Sequence, residues 1–508
     1  MKPRYANGLA MALAILATLV SAGVADRVFE RIPHIEDEFA NLWQAEVMAE
    51  GQIYLPSPDH SRTFLVPFVV DHEGRRFGKY PPGWPATLSL GVRAGIPWLV
   101  SPMLGGLAVW LVYRLGDKIA GRGVGLLAAL LTATSPMFLM LSGTMMSHNL
   151  SLTLAAAFSL SWLDLFPEAR RVSDPARVPT WLLVSVAGLT LGLLTLTRPL
   201  TALGVVVPFT VHGLVLLIRG DGAARRRLLS LGGLALAVMA LLPLWQAALT
   251  GDPFLNPYTL WWEYDMVGFG PGVGVTESGH NLHLAYVNTR FSLRAGMHDL
   301  FGWPFLSWLF LPFGFFALRR RRDGWLMVST FPCLVIVYAA YWIGSWLFGP
   351  RYYYEAIPAL AVASAAGVAW LGGWLGESSR MVRPRRLAMT AFITLLISLN
   401  CIFYLPVRVG EMQGLYGISR AHLAPLQQAD LKNALVLVHS DSWHRYGTLL
   451  MLASPFSPND VLVAWGINPE LNVQVIRDFS DRSVYHYYPD DPHTLYLEPR
   501  QGIENGDV

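Results

Sequence analysis

Along this chain, long apolar runs alternate with short polar connections rich in arginine. Runs of about 17–25 apolar residues are long enough to cross a hydrocarbon core of roughly 30 Å as helices. About eleven are found, near residues 8–25, 96–114, 123–141, 148–166, 180–197, 199–218, 228–249, 301–318, 325–345, 353–373 and 387–407. The stretch WPATLSLGVRAG (84–95) is apolar but too short to cross, and its expected place is the interface or a re-entrant dip. The first run follows Lys2 and Arg4 as a signal peptide would, but with no clear cleavage site it reads as a retained anchor.

Two regions have a different period. Phe39, Leu42, Trp43 and Val47 recur at helical spacing before Gly51, which predicts an amphipathic helix over 39–50 lying on the outer interface. Near the end, ALVLVHS, DVLVAWG, SVYHYY and TLYLEP read as strands, and RYGTLLMLAS and NPELNVQVIRDF as helices between them. The fold expected is an all-α polytopic membrane protein of about 11 transmembrane helices over residues 1–407, with a small C-terminal α/β domain over 408–508.

Composition supports that class. Of 508 residues, 53% are hydrophobic and 14% charged, and the mean hydropathy is +0.39, too apolar for ordinary soluble domains. A net charge of +3 is too small and too local to point to nucleic acid. The basic residues instead fall on alternate connections: Arg114, Lys118 and Arg122; Arg170, Arg171 and Arg177; Arg219 and Arg225 to Arg227; Arg319 to Arg322; Arg380 to Arg386. Under the positive-inside rule these are cytoplasmic, so the N-terminus is inside a plasma or inner membrane, and residues 26–95, 250–300 and the C-terminal domain lie outside. Cys333 and Cys401 both lie in apolar segments and offer neither a disulfide framework nor a thiolate zinc site.

Candidate chemistry gathers in the external pieces. Glu36, Asp37 and Glu38 follow the first span directly; Asp37 falls at or just before a helix N-terminus, where an acid caps the helix or does chemistry. FGKYPPGWP (77–85) stiffens the backbone around Lys79 and Tyr80, and Lys79 either points into a site or snorkels. FGPRYYYEAIP (348–358) places Arg351 at an outer helix end, suited to gripping a phosphate, with Tyr352 beside it in what otherwise reads as an aromatic belt. Arg198 is either a second phosphate ligand or an anchor. His148 and His280, the latter in a glycine-rich loop with mobility as its default, match no metal-ligand motif.

These pieces, EDEFANLWQAEVMAEGQIY, KYPPGWP, SPMFLMLSGTMMSH and GPRYYYEAIP, resemble in their order the C-type glycosyltransferases of the protein O-mannosyltransferase and aminoarabinose transferase group. The resemblance covers about four-fifths of the chain and leaves out the terminal α/β piece. It implies transfer of a sugar, with inversion, from a polyprenyl-phosphate donor to a hydroxyl of a lipid, glycan or protein acceptor at the outer leaflet. It gives Asp37 the role of catalytic base and Lys79 that of phosphate contact, with Arg351 assisting. Glu38, Tyr80, His148, Arg198, His280 and Tyr352 complete the substrate-binding candidates. Some relatives have an acid where this chain has His148, and no metal or other cofactor is assigned. A transporter or lipid flippase is the alternative, and it requires ionisable groups deep in the spans or paired repeats.

Overall fold

The computed structural model describes residues 2–168, 178–375, 382–424, 426, 429–452, 454–456 and 460–500. Arg170, Arg171, Arg177 and Arg380 of the basic connections lie outside the described residues. The chain begins with α1 (Pro3–Arg27) and α2 (Glu36–Ala49), continues through β1 (Leu55–Pro56), β2 (Val69–His72) and β3 (Arg75–Gly78), and reaches α3 (Gly83–Arg93) and α4 (Pro97–Ala120). There follow α5 (Arg122–Ala133), α6 (Pro136–Ser142), α7 (His148–Leu165), α8 (Thr180–Thr197), α9 (Pro199–Arg219), α10 (Gly222–Met239), α11 (Leu241–Thr250) and α12 (Tyr258–Trp261). Then come α13 (Leu282–Asp299), α14 (Leu311–Leu318), α15 (Arg322–Val328), α16 (Thr330–Ala339), α17 (Ile357–Leu371), α18 (Val382–Leu399) and α19 (Leu405–Gly410).

Small residues set how the first long helices meet. α1 buries Ala6, Ala10, Ala14, Ala17 and Ser21, spaced three or four apart, against α4. A side chain at Gly106 of α4 would come within 2.8 Å of the Ala14 carbonyl, so glycine lets the two backbones approach closely. α5 and α6 form one apolar run bent by 60°, because Pro136 starts a new helix that Ser135 caps by accepting the Phe138 amide at 3.2 Å.

Seven helices among the described residues are long and apolar enough to cross a membrane, or eight with the bent pair, rather than eleven. The run at 148–166 forms α7, whose His148, Asn149, Ser151 and Thr153 are buried against neighbouring helices and lower its apolarity. The runs at 301–318 and 325–345 break into α14, α15 and α16, of 8, 7 and 10 residues. WPATLSLGVRAG forms the 11-residue α3, too short to cross.

The basic turns gather at one end of the bundle. Lys118 pairs with Asp164 at 2.5 Å, Arg321 donates to the Ile119 carbonyl at 2.5 Å, Arg322 to that of Phe166 at 2.6 Å, and Arg227 to that of Leu165 at 3.2 Å. α7 and α9 run away from that end, with 18 and 21 residues. At 1.5 Å per residue they place His148 and Arg198 roughly 27–32 Å away, about one membrane core.

At that far end, β1, β3 and β2 make an antiparallel sheet that the apolar pattern did not reveal. The four terminal stretches read as strands form β4 (Ala434–Val438), β5 (Val461–Trp465), β6 (Ser483–Tyr487) and β7 (Leu495–Tyr496), in the order β5-β4-β6-β7. β4 is parallel to β5 and β6, and β7 is antiparallel to β6; α20 (Pro469–Asp478) follows β5. The helix expected to lie on the interface is instead buried on nearly every side. α2 sends Leu42 and Ala45 into the bundle core, and Phe39, Ala40, Trp43 and Val47 into a second core with Ile418, Val436 and Leu449.

Candidate active site

Three consecutive helical residues point about 100° apart, and this settles what the acidic triplet does. Ile35, not an acid, is the N-cap of α2, so Glu36, Asp37 and Glu38 occupy the first turn, where the helix dipole favours them. Asp37 faces a cavity of about 540 Å³ between α2, the Lys79 turn, α7, α9, α16 and the turn before α17. Glu36 lines its edge. Glu38 points inward and does not line it: its carboxylate accepts the amides of His34 at 3.0 Å and Met145 at 2.6 Å, pinning the start of α2 to the bundle. Burial pushes the Glu38 carboxyl up to about 7 against those hydrogen bonds.

Asp37 is oriented from two sides. Its Oδ1 accepts the Tyr80 hydroxyl at 2.7 Å, and its Oδ2 lies 4.0 Å from Arg351 Nη1. Burial and the Asp37 charge push Tyr80 well above its ordinary value, which keeps the phenol a donor. Arg351 stands in a short turn before α17, and among the described residues its guanidinium's only other polar contact is Met146 Sδ at 3.9 Å. Its guanidinium is therefore held loosely, with donors to spare.

Lys79 does not snorkel. β3 ends at Gly78, whose amide donates to Gln44 Oε1 at 2.8 Å, and the next residue turns inward. Lys79 Nζ donates to Asp265 Oδ2 at 3.1 Å and lies 3.6 Å from the centre of the Phe68 ring and 4.8 Å from that of Trp262. Asp265 is itself held by the Tyr341 hydroxyl at 2.7 Å and the Trp342 indole at 3.0 Å, both on Oδ1. Burial lowers the Lys79 ammonium's affinity for its proton, and Asp265 and then Asp37 oppose that.

Arg198 is set between α8 and α9, where Pro199 opens the second helix. It donates to His148 Nε2 at 2.7 Å and to the Tyr338 hydroxyl at 3.0 Å, and its Nε lies 3.5 Å from Glu355 Oε1. Acting as acceptor to an arginine makes this imidazole neutral, with its proton on Nδ1. Tyr352 stacks on Tyr338 with ring centres 4.8 Å apart, and both line the cavity.

The cavity thus brings together Asp37, Lys79, Tyr80, His148, Arg198, Arg351 and Tyr352, and leaves out Glu38 and His280. His280 Nε2 bonds to the Ala339 carbonyl at 2.9 Å and its ring stacks on Phe269. In the glycine-rich loop around it, the Gly270 amide donates to the His280 carbonyl at 2.8 Å and the His280 amide to the Val273 carbonyl at 2.7 Å. Among the described residues no three His, Cys, Asp or Glu side chains converge as metal ligands. Sequence reasoning passed over Asp265, Tyr341, Trp342 and Glu355. The signals were an acid in an aromatic external loop, and an acid inside the quoted FGPRYYYEAIP stretch at the head of an apolar span.

No protein-family model matches the chain, and no curated protein matches it in sequence. Among solved structures it resembles the apo oligosaccharyltransferase of Archaeoglobus fulgidus, with a TM-score of 0.54 and 15% identity over 91% of this chain and 65% of that one. It also resembles AglB of Archaeoglobus fulgidus in complex with an inhibitory peptide and a dolichol-phosphate, with a TM-score of 0.51 and 13% identity over 88% and 64% of the two chains. The third is ArnT from Cupriavidus metallidurans bound to undecaprenyl phosphate, with a TM-score of 0.55 and 14% identity over 93% and 88%. The chain spans about two-thirds of the archaeal proteins and most of ArnT. These likenesses fit the C-type glycosyltransferase-like helical fold with a small sheet region expected from the sequence, but not its count of about eleven spans.

Proposed function

We propose that the protein is an integral-membrane inverting glycosyltransferase that moves a sugar from a polyprenyl phosphate to an acceptor hydroxyl on the outer face of the membrane. The observation carrying this reading is the convergence of Asp37, Arg351, Lys79 and Arg198 on one cavity, at the bundle end opposite the arginine-rich turns. The positive-inside rule makes that end extracytoplasmic. Two of the structural neighbours named above were solved with a dolichol-phosphate or undecaprenyl phosphate.

In this reading the acceptor oxygen forms a bond to the anomeric carbon while the bond from that carbon to the phosphate oxygen breaks. The acceptor proton passes to Asp37, and the electron pair leaves with the polyprenyl phosphate. Attack from the face opposite the phosphate inverts the anomeric centre. A positioned carboxylate base contributes about 10²–10⁴-fold. Phosphate is a good leaving group and needs no general acid. Its charge is met by Arg351, whose donors are least committed, while Lys79 and Arg198 enter already balanced by Asp265 and Glu355. Leu200, Leu242 and Trp245 give the cavity an apolar side for the first isoprene units.

The test is to incubate purified protein with a panel of polyprenyl-phosphate sugars and candidate acceptors, and to follow both by mass spectrometry. Release of free polyprenyl phosphate together with a glycosylated acceptor is expected. Movement of the lipid-linked sugar across vesicles with no covalent product would instead establish the flippase reading.

A further inference from the structure

Beside the cavity, the chain keeps an aromatic residue strained and exposed. Tyr416 has φ = +56° in a turn flanked by Gly414 and Gly417, both also at positive φ, and it is 47% exposed. A non-glycine residue held there is strained. The strain places the phenol ring 5.0 Å from the ring of His444, which in turn sits 4.0 Å from that of Trp443. Trp443 and His444 follow β4 and pack onto the start of α2: Trp443 meets Phe39 edge-on, and His444 Nε2 lies 3.4 Å from Glu36 Oε1. Ser442 Oγ, 2.9 Å from His444 Nδ1, fixes the imidazole from behind. Glu36 reaches from this cluster into the cavity, one residue from Asp37.

We propose that Tyr416, Trp443, His444 and Glu36 form the acceptor subsite, and that the acceptor it takes is a carbohydrate. An exposed ring facing a carboxylate and an imidazole offers what a sugar needs: an aromatic plane for its C–H face, and charged hydrogen-bonding groups for a pair of hydroxyls. A peptide acceptor calls for a free strand edge or a row of side-chain pockets. Glu36 and Asp37 line the same cavity, so a sugar held at Tyr416 and Glu36 lies beside the proposed base. This inference rests on the glycosyltransferase reading and deepens it by naming the acceptor class.

Saturation-transfer NMR on the full chain in lipid nanodiscs tests it, with methyl hexopyranosides and pentofuranosides as probes and the tripeptide Ala-Ser-Ala as competitor class. Transfer to at least one glycoside is expected. It should fall about fivefold in Tyr416→Ala, the loss of one stacking contact, and be retained in Tyr416→Phe. Transfer to the tripeptide alone, to no probe, or to glycosides equally in wild type, Tyr416→Ala and His444→Ala overturns the subsite. Thermal stabilisation by undecaprenyl phosphate, measured on the same samples, separates the two levels. Failure to stabilise the wild type defeats the glycosyltransferase reading, whereas normal stabilisation without glycoside transfer defeats only the subsite.

Discussion

Asp265→Asn isolates the charge that balances Lys79 while leaving the shape of the site intact. The Tyr341 and Trp342 donors both reach Oδ1, so an asparagine oxygen still satisfies them. What changes is Oδ2, which becomes an NH₂ facing the Lys79 ammonium across 3.1 Å. The side chains of the pair are only 3% and 2% exposed, so water cannot replace the lost charge. The gross attraction at that separation is about 5 kcal/mol at an effective dielectric constant of about 20, and removing one partner of a buried pair typically costs about 3–5 kcal/mol. Denaturant unfolding should therefore show Asp265→Asn destabilised by about 3–5 kcal/mol. Adding Lys79→Met removes the stranded cation and keeps the aliphatic stem against Phe68, so the double variant should regain more than half of the loss. Transfer activity should not return with it, because the proposed phosphate contact has gone. A single variant within about 1 kcal/mol of wild type, or a double variant no more stable than the single, would refute the reasoning.

Glu38 makes stability pH-dependent: its carboxyl rises from 4.5 to about 7 on folding, so the folded state binds the extra proton between those values. Its contribution is full below pH 4.5 and lost as pH rises through 7, a change of about 3 kcal/mol. Unfolding at pH 5 and pH 8 should show that slope, and Glu38→Gln should flatten it, lowering stability at pH 5, where its NH₂ meets one of the two backbone donors, and closing or reversing the gap at pH 8, where the wild-type carboxylate carries the cost of burial. Tyr80→Phe removes the 2.7 Å bond that orients Asp37; kcat should fall about tenfold, as for loss of one charge-assisted hydrogen bond of about 1.5 kcal/mol, with undecaprenyl phosphate still stabilising the protein. Arg351→Ala should weaken that stabilisation, and Arg351→Lys should restore it only in part, since a single ammonium lacks the fork that spans two phosphate oxygens.

How much of this the sequence disclosed varied with the range of the interaction. Long uniform helices such as α1 and α9 were legible because hydropathy is local, and β4, β5, β6 and α20 because alternation and turn residues are local too. Asp37, Lys79, Arg198 and Arg351 were noticed as charges in unexpected places, and the structure brings them into one cavity. The pairing of Lys79 with Asp265 spans 186 residues, and nothing near either residue announces the other. The acidic triplet was read as a row, which hid the helical rotation that sends Glu38 into the core and Asp37 into the cavity. α2 looked amphipathic because its two apolar faces pack on different cores, and pattern alone cannot distinguish a second core from a membrane surface. The apolar content of 301–345 was visible, but not the breaks between α14, α15 and α16, which follow from packing against α17 and α9.

The most direct test is a single-turnover assay of Asp37→Asn in nanodiscs, using the polyprenyl-phosphate sugar that the wild type consumes. The account predicts that the variant folds, still gains thermal stability from undecaprenyl phosphate, and transfers sugar at least about a hundredfold more slowly. Transfer at the wild-type rate, with that lipid still bound, contradicts it.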